Sequence, residues 1–301
     1  MKAIVVHQYG GPEVLNFEEY PDPVAGRGEV LVRVAAASGN PIDYKRRAGL
    51  TKDFYPMTFP GLIGVDVSGT AVKVGPGVEA FTVGDRVFAM ADNTYAELCV
   101  VKADVLADIP EGLDLIEAAA LPLVTTTGNQ LASATGIKAG QTVLVAGAAG
   151  NVGRSAVFTA KQMGATVIAG VLKRQMEQAK SVGADQLVAT DDDNAIANLP
   201  PLDAVADTVN GKTAEKLIAK VKPEGVYASV VEPPKNAANY PSVKVVHVFS
   251  KFDRRTLEFM GEAVRDGKLV IPICPRFPLS QAAEAQAIAE KGGTGKILLV
   301  V

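Results

Sequence analysis

Residues 142–153 read Thr-Val-Leu-Val-Ala-Gly-Ala-Ala-Gly-Asn-Val-Gly, and no other stretch narrows the choice of fold as much. Thr142–Ala146 is a continuous apolar run of the kind buried on both faces in a parallel sheet. Glycines at 147, 150 and 153 interrupt it. Beyond them Val152, Ala156, Val157, Ala160 and Met163 recur along one face of a helix spanning Asn151–Met163. Gly164 stands where a C-terminal cap belongs, and a second apolar run, Thr166–Val171, follows. Strand, glycine turn, helix and second strand in this order predict a βαβ unit whose turn can meet a phosphate-bearing ligand.

Read against G-x-G-x-x-G, the turn is Ala148-x-Gly150-x-x-Gly153 with Gly147 in front. Gly150 lets the backbone approach a pyrophosphate, Gly153 lets the helix pack close to its strand, and the first helical N–H groups face the phosphates. Gly147, Ala148, Ala149, Gly150, Asn151, Val152 and Gly153 are therefore candidate cofactor residues. The same spacing also serves a tight turn without a ligand. Dinucleotide sites that take NAD usually carry an acid at the end of the second strand for the ribose 2′-hydroxyl. Here that end reads Ala169-Gly170-Val171-Leu172-Lys173-Arg174, with no acid. Lys173 and Arg174 suit a 2′-phosphate, so NADPH is expected over NADH. The plainer alternative makes them solvated residues opening a helix.

The alternation runs on through a helix near 174–182, strands at Gln186–Thr190 and Asp203–Thr208, and a helix at Thr213–Val221. Strands at Gly225–Val231 and Val243–Phe249 complete it. Repeated βα units of this kind predict a doubly wound parallel sheet. Residues 1–120 read differently. Short runs at Lys2–His7, Glu29–Ala36, Val65–Val74, Asp85–Met90, Tyr95–Val101 and Ala107–Ile109 are divided by turns such as Gly75-Pro76-Gly77, which suggests a barrel-like β domain. After a helix near Asp253–Gly267 come a strand at Leu269–Ile273, a helix at Leu279–Glu290 and a strand at Lys296–Val301. A final apolar strand needs a sheet partner, so this tail is expected to rejoin the first domain.

With 301 residues, 48% of them hydrophobic and 21% charged, the chain can build two sizeable cores. A net charge of −3 gives no reason to expect nucleic acid or an anionic membrane as partner. No apolar stretch is long enough to span a bilayer, and MKAIVVHQYGG lacks the pattern of a signal peptide, so a cytoplasmic location is expected. Cys99 and Cys274 form neither a disulfide framework nor a CxxC motif. His7 and His247 read as structural or solvated residues.

An ordered series of motifs carries a resemblance. Gly10-Gly11-Pro12-Glu13-Val14-Leu15 is followed by Asn40-Pro41-x-Asp43, Arg47-x-Gly49 and Pro60-Gly61. Then come Gly64-x-Asp66-x-x-Gly69, Val83-Gly84-Asp85-Arg86-Val87, Tyr95-Ala96-Glu97, the glycine turn and Gly295-Lys296-Ile297. Over its whole length the chain resembles the medium-chain dehydrogenase/reductase superfamily, in its zinc-free, quinone-reductase-like branch. The resemblance implies an α/β protein with a Rossmann domain, residues 122–267, inserted in a GroES-like β-barrel catalytic domain, residues 1–121 completed by 268–301. Zinc-containing members carry a cysteine near the present Ser38, a His-Glu pair at Val65-Asp66 and a cysteine near Leu123–Thr126. A four-cysteine lobe near residues 90–110 is also absent. Catalytic zinc needs three protein ligands and structural zinc four, so no metal site is expected.

Without a Lewis acid, the easier chemistry is hydride delivery to an electron-poor small molecule, a quinone or an α,β-unsaturated carbonyl, whose conjugation spreads the developing charge. By resemblance Asn40 lies near the nicotinamide and the acceptor, Thr127 lines the nicotinamide side, and Tyr44 can give a proton, with solvent as the alternative source. Asn40-Pro41 can equally be an ordinary turn. Asp207 and Thr208 end one parallel strand and Val230 the next, where ligands collect in open α/β sheets. Val248, Phe249 and Lys296 join the cofactor residues by resemblance. The strand Val243–Phe249 could pair with its twin in a homodimer. An enoyl-thioester reductase and a non-catalytic NADPH-binding protein are the alternative functions.

Overall fold

The computed structural model describes residues 1–293 and 295–301; the side chain of Cys274 lies outside the described atoms. The chain forms two compact units: Met1–Leu123 with Phe252–Asp266 and Ile271–Val301, and Val124–Lys251 with Gly267–Val270.

The first unit opens with β1 (Lys2–Val6), β2 (Leu15–Glu19), β3 (Glu29–Ser38), a short helix α1 (Pro41–Arg47) and β4 (Gly61–Leu62). It continues with β5 (Asp66–Val74), β6 (Arg86–Met90), β7 (Leu98–Lys102) and β8 (Ala107–Asp108). β1 lies between β2 and β4 in a small antiparallel sheet. β3 is the spine of the larger sheet and pairs antiparallel with both β5 and β7. Val30, Val32 and Val34 enter the core with Val67, Ala71 and Val87, while Arg33 between them is exposed. This is the period-two alternation of a half-buried strand. The Asn40-Pro41 segment opens a helix. Pro41 occupies a first-turn position whose N–H has no intrahelical use, and the Asn40 N–H donates to Asp43 Oδ2 at 2.9 Å.

The second unit begins within α2 (Pro122–Ala134). It then runs β9 (Thr142–Ala146), α3 (Asn151–Gln162), β10 (Thr166–Val171), α4 (Met176–Ala179), β11 (Gln186–Ala189) and α5 (Asp193–Ala197). β12 (Leu202–Asp207), α6 (Gly211–Leu217), β13 (Val221–Ser229) and β14 (Lys244–His247) complete it. Its six strands form one parallel sheet in the order β11-β10-β9-β12-β13-β14. Alternate residues of β9 serve opposite faces. Val143 and Val145 pack with Leu131, Ala156, Val157 and Ala160, whereas Leu144 and Ala146 pack with Ala214 and Leu217. The sheet is thus covered by helices on both sides, and the chain order reverses between β9 and β12.

The chain then returns to the first unit through α7 (Arg254–Arg265), β15 (Ile273–Pro278), α8 (Ala282–Lys291) and β16 (Lys296–Val300). In α7, Gly261 is so close to Phe88 and Pro110 that a Cβ would meet them, and Arg254 lies 3.8 Å from Asp108. β16 pairs antiparallel with β3, Leu298 opposite Ser38. Two local expectations fail. Leu269–Ile273 is not a strand. Leu269 and Ile271 are buried, but Pro272 lacks the N–H a ladder needs, and pairing starts only at Ile273, with a register shift before Arg276. The helix expected at 174–182 is only α4 between 3₁₀ turns, ended by Gly183 at φ +84°. Among the described residues no helix is long and apolar enough to cross a membrane.

Candidate active site

The glycine turn takes its shape from three backbone needs. Gly147 has φ +77°, the left-handed region, and a Cβ there would strike Thr208. A Cβ on Gly153 would strike the Gly147 carbonyl oxygen, so only glycine brings α3 this close to the end of β9. Gly150 caps α3 with no side-chain acceptor and is exposed, and the first helical bond inside α3 is Arg154 N–H to Gly150 O at 2.8 Å. The N–H groups of Asn151, Val152 and Gly153 thus have no intrahelical acceptor, at the positive end of the helix dipole. The cradle fits a pyrophosphate. Ala148 is fully buried, Ala149 half-buried, and the Gly147 and Ala148 N–H groups bond Gly170 O at 2.9 and 3.1 Å. These two residues shape the turn from behind. Lys173 and Arg174 are both exposed at the end of β10, and Asp191 accepts the Lys173 backbone N–H at 2.8 Å.

The remaining residues expected at this end of the sheet step along one rim. Thr208 Oγ1 donates to Ala146 O at 2.8 Å, Val230 N–H to Asp207 O at 3.1 Å, and Val248 N–H to Ser229 O at 2.7 Å. The ends of β9, β12, β13 and β14 therefore stand in register, as the crevice rule for open α/β sheets requires. Asp207 departs from its expected part. It is fully buried, and its carboxylate accepts the Val209 and Asn210 N–H groups and the Ser229 hydroxyl. It holds the rim and has no face for a ligand. Phe249 is 66% exposed. Thr127 on α2 bonds Ser250. One turn on, Gln130 donates to Lys251 O at 2.8 Å and accepts its N–H at 2.9 Å. Gln130 thereby reads the backbone of Lys251 as a neighbouring strand would. Sequence reasoning passed over Gln130, and over Arg154, which is 4% exposed and donates to Ala149 O behind the turn.

In the first unit Asn40, Asp43, Asp66, Tyr95 and Lys296 meet, all 2% exposed or less. The Asn40 amide donates to Ser38 O at 3.2 Å and Asp66 Oδ2 at 2.8 Å, and its oxygen accepts from Lys296. Both amide N–H donors are thus engaged inside the protein, because two charged groups, Lys296 and Asp66, and the Ser38 carbonyl converge on this one amide. Asp66 also accepts the Ser38 hydroxyl at 2.6 Å and the Leu123 N–H at 2.8 Å. Asp43 Oδ2 accepts from Asn40 N–H and from Tyr95 at 3.0 Å, whereas its Oδ1 is buried without a partner. Burial, then the charge of Asp66, lifts Asp43 to about 7. Tyr44, on α1, is half-buried; burial and the charge of Glu290 hold its hydroxyl above the ordinary range.

Two family profiles match the chain: alcohol dehydrogenase GroES-like domain over residues 26–111, and zinc-binding dehydrogenase over residues 182–299. The chloroplast envelope quinone oxidoreductase homolog of Arabidopsis thaliana is 31% identical over 99% of this chain and 98% of its own length. The chain belongs to the quinone oxidoreductase branch of the medium-chain dehydrogenase/reductase superfamily. Within that superfamily it is also 31% identical to the chloroplastic NADPH-dependent alkenal/one oxidoreductase of Arabidopsis thaliana, covering 99% of this chain and 79% of the relative. The crystal structure of Escherichia coli quinone oxidoreductase complexed with NADPH superposes with a TM-score of 0.88 at 26% identity, covering 100% of both chains. The superfamily fold, a GroES-like domain with a Rossmann parallel sheet, is the fold described above.

One of these profiles is named for zinc, and the donor set can be tested for it. Ser38, Asp66 and Leu123, at or beside the positions that zinc-containing members of the superfamily use, do converge here, but on the Asp66 carboxylate itself. Four donors already surround it, one of them the Lys296 ammonium at 3.1 Å. A buried ammonium repels a second cation, and hydroxyl, amide and ammonium groups are not the nitrogen and sulfur ligands zinc selects. Among the described residues no three His, Cys, Asp or Glu side chains are grouped to hold a metal ion. The residues do not fit the group.

Proposed function

We propose that this chain is a zinc-independent reductase that uses NADPH to reduce quinones or α,β-unsaturated carbonyls. The single observation that carries the reading is the bare start of α3, where exposed Gly150 precedes N–H groups with no intrahelical acceptor. NADPH, when bound, supplies the hydride. The protein's part is to hold and orient it. The N–H groups of Asn151, Val152 and Gly153 hold the pyrophosphate, and Lys173 with Arg174 pairs with the 2′-phosphate. Thr208, Val230, Val248 and Phe249 wall the rim, and Thr127 fixes the Ser250 end of that wall. In the first unit Tyr44 keeps its proton through the neutral range and can release it to the reduced acceptor, with water as the other source. The Lys296–Asp66 pair supports independence from zinc, since the one buried cation there is the protein's own. The names of the relatives support the acceptor class. We assign the acceptor side to the first unit and the cofactor side to the second. β14, a sheet edge with one neighbour, is the proposed seam of a homodimer, which light scattering would test.

The deciding experiment is stopped-flow oxidation of NADPH against benzoquinone, an alkenal and an enoyl thioester, with zinc measured in the same sample. Fast oxidation by the first two without stoichiometric zinc is the expected outcome. Preference for the thioester moves the enzyme to another substrate class. Tight NADPH binding with no oxidation by any of the three refutes the enzyme reading.

A further inference from the structure

Lys296 opens β16 and is 2% exposed. Its ammonium donates to Asn40 Oδ1 and to Asp66 Oδ2, residues 256 and 230 positions away in the chain. A charge withdrawn this far from water persists only where its protons and its charge are both met. Here the amide oxygen meets the protons and the carboxylate meets the charge.

The pairing decides which way the Asn40 amide faces. An ammonium has donors only and an ionised carboxylate only acceptors. The amide oxygen therefore turns to Lys296 and the NH₂ to Asp66 and Ser38. Flipped, the amide would set donor against donor and acceptor against acceptor. Asn40 is also the cap of α1, through its N–H to Asp43, and the next turn of α1 carries Tyr44. One run of contacts thus leads from Lys296 through Asn40 to the start of α1.

We propose that Lys296 is a positioning residue: its buried ammonium locks the Asn40 amide, and with it the first turn of α1, so that Tyr44 meets the acceptor in one pose. The inference rests on the first unit being the acceptor side of a reductase. It gives Lys296 a different part from the cofactor contact expected by resemblance. Because the ammonium acts through Asn40, removing either should cost catalysis and removing both should cost little more.

The test is a double-mutant cycle of K296M and N40A on the full chain. It reads kcat and KM for benzoquinone, the NADPH Kd by fluorescence, and the exchange rate of the Asn40 side-chain NH₂ by NMR in the variants that keep it. In the wild type that NH₂ should exchange slowly. In K296M we expect kcat to fall by roughly ten- to a hundredfold, as misplacement of a reacting group does. The NADPH Kd should stay within about twofold, and Asn40 exchange should become fast. The double variant should be no slower than the worse single one, the mark of groups acting as one unit. Additive losses in the double variant would overturn the proposal. So would an NADPH Kd weakened in K296M as far as kcat falls, because Lys296 would then be a cofactor ligand. If K296M does not fold, K296Q carries the same cycle with the charge removed and a donor kept. If the wild type reduces no acceptor, the reductase reading fails by itself and Asn40 exchange still decides: slow in wild type and fast without the ammonium supports the lock, and equal rates refute it.

Discussion

Lys296 Nζ lies 3.1 Å from Asp66 Oδ2, with the two side chains 3% and 0% exposed. Removing one member of a buried ion pair strands the other, which costs about 3–5 kcal/mol. Asp66→Asn should therefore lower the unfolding free energy by about that much in urea titrations. The exposed control Glu79→Gln should stay within about 0.5 kcal/mol. A change for Asp66→Asn no larger than the control would show that the pair contributes nothing.

Asp43 makes stability depend on pH in the opposite sense to an ordinary salt-bridged acid. Its folded value, about 7, lies above the ordinary 3.8. Between roughly pH 4 and pH 7 the folded state therefore holds a proton that the unfolded state has lost, and stability falls as pH rises through that window. Above about pH 7 both states are ionised and the loss, of order 4 kcal/mol at 1.36 kcal/mol per unit, is complete. Asp43→Asn should flatten the slope, so that the stability difference between variant and wild type grows from pH 4 to 7 and then stays constant. A constant difference over the whole range would refute this assignment.

Gly153→Ala should be far worse than Gly150→Ala for the fold. A methyl at 153 runs into the Gly147 carbonyl and Ala148 Cα, both backbone, whereas at 150 the nearest atom is Gly147 O at 3.3 Å. Overpacking of this kind costs about 1–3 kcal/mol. Thermal melts should show Gly153→Ala destabilised by that amount and Gly150→Ala nearly unchanged. Fluorescence titration should show NADPH binding weakened in both, since the methyl at 150 lies where the pyrophosphate approaches.

Replacing Lys173 and Arg174 together by alanine should raise KM for NADPH by roughly ten- to a hundredfold, the scale of two lost charge-assisted contacts of about 1.5–3 kcal/mol each partly offset by solvent. KM for NADH should move less than about threefold. Equal shifts for the two cofactors would return these residues to the role of solvated surface.

How much of this was legible before the structure depended on how local each signal is. β9 and β10 carry their burial within five or six residues, and their bounds, Thr142–Ala146 and Thr166–Val171, are those read from the sequence. α2 was missed for a physical reason. Thr125, Thr126, Thr127 and Gly128 are poor helix formers, yet Gly128 sits so close to Ser155 and the Val152 carbonyl that only a residue without a side chain lets α2 pack on α3. Tertiary packing decides there. At the candidate site, the glycine turn and the two cations could be named from spacing alone. The joining of Asn40, Asp66 and Lys296 could not, because it depends on β3, β5 and β16 arriving at one point from distant parts of the chain. Motif reading found these residues one by one and placed Asn40 near the nicotinamide and acceptor, with no signal for the two charged groups that its amide meets in the assembled protein.

The pairing of β16 with β3 also bears on the order in which the protein can be made. The parallel sheet lies within residues 124–251 and can close while the ribosome is still adding residues. The larger sheet of the first unit, although begun much earlier, lacks β15 and β16 until positions beyond 270 have emerged. Until then the Ala36–Ser38 end of β3 lacks its β16 neighbour, and the buried carboxylate of Asp66 lacks the Lys296 ammonium. Of the two units, the one whose translation begins first is therefore the one completed last, with strand edges open in the interval.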